Sequence, residues 1–277
     1  MNKDKLRSLC QKLSKETGLS FNSIQTHYFL ESILEKISIS DESNNFIFKG
    51  GFLLSNVIGI RQRSTVDIDF LIRKFTLTEE NIKQRFEKIL SSGYDNGITY
   101  TIQKIEEIRK EDEYGGFRIT VLCRLENIRQ IIPLDIATGD PITPSDISYN
   151  YKSIFSDSLF KICAYNIETI LAEKIHTVYY RGIFNSRSKD FYDIYILYRL
   201  KSEKINYDML RNACQNTFKY RSTDFIIDSI INLISKLKSE KDIRIRWKNY
   251  QRRFRYAEEI SFDEVIDTVI EMVEKIK

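Results

Sequence analysis

The sequence predicts an α+β fold, in which a mixed β-sheet with flanking helices is followed by a C-terminal helical bundle. In the first half, short apolar segments typical of strands alternate with helical patterns. Beyond about residue 205, apolar residues recur only at helical spacing. The chain has 277 residues, enough for one large domain or two modest ones. We expect a division into residues 1–150, which hold the sheet, and residues 151–277, which are helical.

Each element of the first half follows from its apolar spacing and its end signals. Ser20 or Asn22 can cap the second helix, and Thr78 can cap a helix that begins at Glu79. Residues 109–114 are expected to form a charged hairpin tip. In chain order, the prediction is helices over 3–17 and 22–37, a strand over 45–49, a helix from Gly50, a strand ending at Ile72, a helix over 79–90, and strands over 98–107, 115–125 and 131–137.

The second half is predicted to be helical after a connection. The polar segment 141–157 is expected to be a loop, and a short strand is expected over 160–165. Asn166 can cap the next helix, and Gly182 can end it. The helices predicted after it span about 205–217, 223–239, 242–256 and 262–276.

Composition excludes several classes of protein. A charged content of 30% and a hydrophobic content of 42% fit a soluble globular protein. No apolar run approaches the ~20 residues that cross a bilayer, and the polar N-terminus lacks the apolar segment of a signal peptide. The four cysteines are scattered and only two histidines exist, which disfavours a zinc site. We therefore expect a cytoplasmic protein, and we interpret His27 and His176 as structural.

The stretch from residue 45 to residue 72 carries the first sign of chemistry. It reads as a strand, a Gly-Gly turn, a helix, a basic loop and a second strand that holds Asp67 and Asp69. Residues i and i+2 of a strand share a face, so the two carboxylates lie about 6–7 Å apart and repel unless a cation joins them. Mg²⁺ is the natural candidate. The residues predicted to face the core from this strand are Val66, Ile68 and Phe70.

The Gly-Gly turn is a candidate phosphate site. Gly50 and Gly51 allow a sharp turn, and the helix that follows at once presents its N–H groups there. The alternative is an ordinary strand-to-helix turn. Arg61 and Arg63 can reach a triphosphate or can simply neutralise the nearby carboxylates.

Further acidic residues extend the candidate site. Asp135 lies in a strand that can neighbour the Asp67–Asp69 strand, where a third carboxylate would suit a two-metal phosphoryl-transfer site. The alternative is a half-buried aspartate at a strand end. Asp190 and Asp193 share one helix face. They can pair locally with Arg187 and Lys189, or their helix can face the sheet carboxylates across a cleft.

Two basic features allow more than one interpretation. Lys174 lies beside an apolar stripe, where a lysine usually keeps its ammonium group at the surface. The segment 244–255 places six basic residues and three aromatics in twelve positions. This pattern suits RNA binding, but it also suits a solvated helix whose aromatics pack inward.

Four motifs together resemble those of the nucleotidyltransferase AbiEii/AbiGii toxin family, a MenT-like group with a DNA polymerase β-like nucleotidyltransferase core. They are Lys49-Gly50-Gly51, the segment from Arg63 to Phe70, the A-E-K-I around Lys174, and the R-x-K-D-x-x-D from Arg187 to Asp193. Many polymerase β-like enzymes have Gly-Ser at the turn. Here Gly51 replaces the serine, as is usual for this family, so backbone amides would have to bind the phosphate.

The resemblance implies roles for individual residues. It implies Mg²⁺ ligation by Asp67, Asp69 and Asp135, and catalytic roles for Lys174, Asp190 and Asp193. The resemblance to the family does not decide which of Asp190 and Asp193 is the essential late aspartate. The nucleotide-binding set that it implies is Lys49, Gly50, Gly51, Arg63, Thr65, Lys174, Arg187 and Lys189.

The function implied by the resemblance is that of a toxin in a toxin–antitoxin or phage-abortive-infection system. The enzyme would transfer NMP from an NTP to an acceptor, the 3′ end of tRNA in characterised relatives, which blocks translation. An AbiEi-like winged-helix antitoxin encoded alongside is implied as a partner. Two alternatives remain at this point: a non-catalytic NTP-binding module, and an aminoglycoside-type small-molecule nucleotidyltransferase.

Overall fold

The computed structural model of the protein describes residues 1–76, 78–108 and 115–277, and the predicted hairpin tip at 109–114 lies outside this range. The chain forms two compact units. The sheet unit comprises Met1–Gly139 and Ile147–Ala164, and the helical unit comprises Asp140–Asp146 and Tyr165–Lys277.

The described residues of the sheet unit form one sheet of seven strands together with four α-helices. The strands are β1 (Phe46–Lys49), β2 (Ile68–Ile72), β3 (Thr99–Ile108), β4 (Gly116–Leu125), β5 (Ile128–Thr138), β6 (Ile147–Lys152) and β7 (Leu159–Ala164). The helices are α1 (Lys3–Thr17), α2 (Phe21–Ser38), α3 (Gly50–Ile58) and α4 (Glu79–Ser91).

The sheet is mixed, as the sequence predicts. Its strand order is β3-β4-β5-β2-β1-β7-β6. The pairs β2–β5 and β1–β7 are parallel, and the other neighbouring pairs are antiparallel. This order places β1, β2 and β5, the strands that carry the candidate site, side by side in the middle of the sheet.

The predicted loop over residues 141–157 is wrong in its middle, where strand β6 forms. β6 pairs with β7 at one edge of the sheet. Of its six residues only Tyr151 is buried, so the segment reads as polar in sequence. The predicted boundary after residue 150 falls inside this strand.

The helix ends of the sheet unit follow the capping signals. The side chain of Ser20 accepts a hydrogen bond from Ser23 N, and that of Thr78 accepts one from Asn81 N. Each oxygen satisfies a backbone donor that has no partner within its helix. The cap of α2 is thus Ser20, one of the two residues that the sequence allowed.

Aromatic side chains form much of the core of the sheet unit. Phe46, Phe48 and Phe70 are fully buried, and the ring of Phe70 contacts that of Phe46 edge-on and that of Phe48 at a tilt. The prediction that Val66 joins Ile68 and Phe70 in the core is wrong. Val66 is exposed because β2 begins only at Ile68.

A buried carboxylate in α2 makes the stability of the fold depend on pH. Glu31 accepts hydrogen bonds from Tyr151 and Ser153, but burial raises its pKa to about 7. The folded protein therefore holds this proton more tightly than the unfolded chain, so stability is lost as the pH rises from about 4.5 to about 7. Burial also lowers the pKa of His27 from 6.5 to about 3, so its contribution to stability grows as the pH rises through that range, which is the opposite trend.

At neutral pH the buried, ionised carboxylate of Glu31 destabilises the folded protein, and in acid the protonated carboxyl does not. Replacing Glu31 with glutamine should therefore remove this cost at neutral pH. We expect the unfolding free energy of Glu31→Gln, relative to the original protein, to improve by about 3 kcal/mol between pH 4.5 and about pH 8. Urea unfolding of both proteins at several pH values measures this difference, and the His27 contribution cancels because both retain it. A difference that does not change with pH would contradict the prediction.

The described residues of the helical unit form six α-helices. They are α5 (Ile167–Arg181), α6 (Ser188–Lys201), α7 (Tyr207–Tyr220), α8 (Ile227–Leu237), α9 (Lys241–Arg253) and α10 (Phe262–Glu274). Asn166 caps α5 through Thr169 N, as predicted. Helix α6 packs against α5, α9 and α10, which makes it the central helix of the bundle. Within the described ranges, no helix combines the length and the apolar character needed to span a membrane.

Candidate active site

At the turn between β1 and α3, the backbone of Gly50 lies against the carboxylate of Asp69. Gly50 has a φ of 74°, in the left-handed region that favours glycine. A Cβ at Gly50 would lie 2.0 Å from Oδ2 of Asp69. Lys49 precedes the helix in an extended conformation, and its side chain makes no capping hydrogen bond. The positive end of α3 therefore lies at the turn that contacts Asp69.

The second glycine lies against the basic loop. A Cβ at Gly51 would lie 3.2 Å from Nη2 of Arg63 and 3.4 Å from Oγ1 of Thr65. Arg63 is buried, and its carbonyl accepts a 2.5 Å hydrogen bond from Ser55 of α3. The turn thus gathers four of the predicted nucleotide-binding residues, namely Gly50, Gly51, Arg63 and Thr65.

A row of charged residues crosses four neighbouring strands. Lys49 of β1 lies opposite Asp69 of β2, which lies opposite Asp135 of β5, which lies opposite Arg118 of β4. Residues opposite each other in a sheet share a face, and neighbouring strands are about 4.8 Å apart. The row therefore places two carboxylates between two cations. Asp135 neighbours Asp69, as the sequence predicts.

Arg118 is the member of this row that the sequence analysis missed. Its guanidinium donates to both carboxylate oxygens of Asp135, at 2.7 and 2.8 Å. The hydrogen bond to Asp135 raises the pKa of Arg118, against the effect of burial, and the charge of Asp67 adds to the rise. The only sequence signal was a basic residue between apolar ones in a strand, and its partner depends on strand register.

Two of the three predicted ligands, Asp67 and Asp69, have the chemistry that suits a magnesium ion. Mg²⁺ commonly takes one or two protein carboxylates and completes its shell with water and phosphate oxygens. Asp67 and Asp69 are both half-buried, and the Asp69 carboxylate fills the position that a Cβ of Gly50 would occupy. In the part of the chain that the structure describes, no group of three or more acidic, histidine or cysteine side chains is arranged to hold a metal. Ligation by Asp67, Asp69 and Asp135 stays a prediction, and ligation by Asp135 requires its ion pair with Arg118 to open.

The Gly50 turn allows a matched pair of substitutions. In Gly50→Ala the new methyl group meets Asp69 and the backbone must keep a positive φ, whereas Gly51→Ala meets only side-chain atoms at 3.2 Å or more. Misplacing a catalytic group by about 1 Å can cost 100-fold in rate. We expect Gly50→Ala to lower nucleotidyl transfer about 100-fold and Gly51→Ala to lower it much less. Equal effects in an initial-rate assay would contradict the geometric argument.

The second cluster of predicted site residues lies within the helical unit. Lys174 of α5 places Nζ 3.0 Å from Oδ1 of Asp190 and 2.8 Å from Oδ2 of Asp193, both on α6. Nε of Arg187 lies 3.1 Å from Oδ2 of Asp190. Asp190 and Asp193 are only 2% and 0% exposed, and Lys174 is 14% exposed. Two buried carboxylates are thus balanced by two cations.

These contacts decide part of what the sequence left open. The local pairing of Arg187 with Asp190 is confirmed. Lys174 does not keep its ammonium group at the surface, because it bridges both aspartates. Lys189 is half-buried in the first turn of α6. The roles of these residues toward a nucleotide stay predictions.

The two histidines are buried in the fold. His27 packs edge-on against Phe52, with ring centroids 4.7 Å apart. His176 contacts Thr223 at 3.1 Å, and burial together with Arg221 lowers its pKa to about 4. Both imidazoles are therefore neutral near pH 7, which supports their structural interpretation.

The basic-aromatic segment forms α9 and the turn after it. Trp247 and Tyr250 are buried, so these aromatics pack inward. Arg244 pairs with Asp263. The remaining basic residues of the segment are half-buried or exposed, and they are Arg246, Lys248, Arg252, Arg253 and Arg255.

Two solved structures share this fold. One is a protein from Helicobacter pylori assigned as a nucleotidyltransferase, with 17% identity and a TM-score of 0.57 over 93% of this chain and 96% of that one. The other is JHP933 from Helicobacter pylori, with 16% identity and a TM-score of 0.57 over 93% of each chain. At these identities, the likeness concerns the fold alone. The search of curated proteins gave no match to this chain.

A match to a protein-family model shows which family this chain belongs to. The model of the nucleotidyl transferase AbiEii toxin of type IV toxin–antitoxin systems matches residues 32–268. This range contains the Gly-Gly turn, the charged row of the sheet and the Lys174 cluster. The chain therefore belongs to the AbiEii nucleotidyltransferase toxin family.

Proposed function

We propose that this toxin transfers NMP from an NTP to the 3′ end of tRNA in a reaction that depends on Mg²⁺. One observation carries the proposal: the Asp69 carboxylate lies against the Gly50 turn, at the N-terminus of α3. This arrangement places an acidic metal ligand next to backbone N–H groups that suit a phosphate.

The sheet unit would bind the triphosphate. The amides of Gly50 and Gly51 would donate to phosphate oxygens, with Lys49, Arg63 and Thr65 adding charge or hydrogen bonds. Asp67 and Asp69 would hold Mg²⁺, and Asp135 would join them once Arg118 moves. The ion would neutralise charge that develops on the phosphate oxygens.

The helical unit would contribute to the same reaction through its charged cluster. We assign Asp193, which is fully buried, to holding Lys174 in place. Asp190 pairs with Arg187, whose side chain is 42% exposed and therefore more open to solvent than Lys174. Asp190 would then orient the attacking hydroxyl, and Arg187, Lys174 and Lys189 would bind phosphate.

The reaction itself is a displacement at phosphorus. The 3′ hydroxyl of the tRNA attacks the α-phosphorus, the bond to the β-phosphate oxygen breaks, and pyrophosphate leaves. The proton of the hydroxyl passes to a carboxylate or to water. Positioning and electrostatic stabilisation supply most of the rate in such transfers.

The consequence in the cell would be a block of translation. A tRNA with an added 3′ nucleotide lacks the terminus that is aminoacylated, so growth stops. Such arrest, in the cytoplasm of an infected cell, would restrict phage. An AbiEi-like winged-helix protein encoded alongside would be the antitoxin.

The test is a labelling experiment with the purified full chain. Total RNA, Mg²⁺ and one α-phosphate-radiolabelled NTP at a time are incubated with the protein, with EDTA as the metal control. We expect label in the tRNA band with at least one NTP, and none with EDTA. NTP binding without any transfer to RNA would favour a small-molecule or protein acceptor, and the absence of both binding and transfer would exclude the enzyme.

A further inference from the structure

The end of α5 and the turn after it expose two aromatic rings. Tyr180 is 72% exposed and Phe184 is 81% exposed, the largest fraction among the large apolar side chains that the structure describes. Ile183 between them is also exposed. Neighbouring exposed apolar side chains of this kind mark interaction sites more often than isolated ones do.

One of these rings is held in a fixed orientation. Tyr180 stacks on His176, with ring centroids 5.6 Å apart and an angle of 15° between the planes. His176 is itself fixed by Thr223 and Arg221. Tyr180 is therefore supported from one side while most of its surface faces solvent, which is the form of a stacking platform.

Arg246 of α9 contacts the backbone of the exposed segment. Nη1 of Arg246 donates to the carbonyl of Ile183 at 3.0 Å and to that of Asn185 at 3.1 Å. The side chain of Asn185, which is buried, accepts from Arg187 N at 2.8 Å. The aromatic segment therefore lies between the basic helix and the cluster of Lys174, Arg187 and Asp190.

Helix α9, whose Arg246 contacts this segment, also presents cations to solvent. Its buried residues are Ile243, Trp247 and Tyr250, which recur at helical spacing and leave the opposite face to solvent. Lys248, Arg252 and Arg253 of α9 are exposed, as is Arg255 in the turn after it. Within the described ranges none of the four forms an ion pair with a carboxylate.

We infer that Tyr180, Phe184 and the exposed cations of α9 form the surface that binds the single-stranded end of the RNA acceptor. Bases would stack on the two rings, and the arginines would contact phosphates, which is the usual combination in single-strand binding. Of the three aromatics within 244–255, Trp247 and Tyr250 cannot play this part because they are buried, and Phe254 is half-buried. The inference rests on the proposed function, since it takes RNA as the acceptor.

The first test measures the affinity of the full chain for a short single-stranded oligoribonucleotide by fluorescence anisotropy. We expect Tyr180→Ala/Phe184→Ala to weaken binding at least about tenfold, because each stacked base contributes measurably. Phe184→Tyr should retain affinity, and Phe184→Leu, which keeps the apolar contact but loses the aromatic face, should not. Both rings are exposed, so thermal unfolding should be unchanged.

The second test measures how the affinity for RNA depends on salt concentration. Arg252→Glu/Arg253→Glu should reduce the slope of log affinity against log salt by about 1.4, because each neutralised phosphate of a single strand contributes about 0.7. Lys83→Glu/Lys88→Glu, two exposed lysines of α4 in the sheet unit, is the matched control and should leave the slope unchanged.

The outcomes separate this inference from the proposed function. Weaker RNA binding in the aromatic and arginine variants, with NTP binding intact, supports the inference. Variants that bind RNA like the original protein, while that protein still labels RNA, would overturn the inference alone. An original protein that neither binds nor labels RNA would overturn the proposed function and this inference with it.

Discussion

Replacing Asp69 with asparagine should lower the rate of nucleotidyl transfer by at least about a thousandfold. The change keeps the shape of the side chain but removes the charge that lies against the Gly50 turn and opposite Asp135. Loss of a metal ligand forfeits several kcal/mol of charge stabilisation in the transition state, and each 1.36 kcal/mol is tenfold in rate. Single-turnover transfer with saturating NTP measures the effect on the chemical step.

Two comparisons show whether the loss is chemical. Asp157→Asn, an exposed aspartate in the loop before β7, is the matched control and should transfer at the original rate. Asp69→Asn should unfold at nearly the same temperature as the original protein, because the site is half-buried and the shape is kept. A variant that is folded and transfers within tenfold of the original rate would contradict the role of Asp69.

Replacing Lys174 with methionine should destabilise the protein by about 3–5 kcal/mol. The substitution keeps the length of the side chain but leaves Asp193 buried without the cation that lies 2.8 Å away. Removing one partner of a buried ion pair strands the other charge, which is far more costly than the pair itself is stabilising. Thermal unfolding should show a midpoint lower by about 10 °C.

A double variant tests whether the loss of stability in Lys174→Met comes from the unpaired charge of Asp193. In Lys174→Met/Asp193→Asn the stranded carboxylate is gone, so a large part of the stability should return. If Lys174→Met unfolds like the original protein, the cluster has no structural function and Lys174 acts only toward the nucleotide. Transfer assays on the double variant then show whether Lys174 is also needed for the reaction.

Features set by local spacing were predicted well. The Gly-Gly turn and the caps at Ser20, Thr78 and Asn166 depend on residues a few positions apart, and their contacts follow from local backbone geometry. The shared face of Asp67 and Asp69 assumed that both lie in one strand, but β2 begins at Ile68, so only Asp69 lies in it. The placement of Asp135 beside Asp69 was also predicted, and β2 and β5 pair in the register that brings the two residues opposite each other.

Features set by register and by distant partners were missed. Arg118 meets Asp135 only because β4 and β5 pair in one register, and a shift of one residue would turn the arginine to the other face. Strand β6 was missed because an edge strand with one buried residue has too weak an apolar pattern. The bridge from Lys174 to both aspartates depends on how α5 packs against α6, which helical spacing alone does not fix.

The most direct test of the central claim compares intact tRNA with tRNA whose terminal ribose has been oxidised by periodate. Oxidation opens the terminal ribose and converts its 2′ and 3′ hydroxyls to aldehydes, which removes the proposed attacking group and leaves the other nucleotides unchanged. With Mg²⁺ and the preferred α-labelled NTP, we predict label in the intact tRNA and none in the oxidised tRNA. Equal labelling of the two would show that the nucleotide is added elsewhere and would contradict the account.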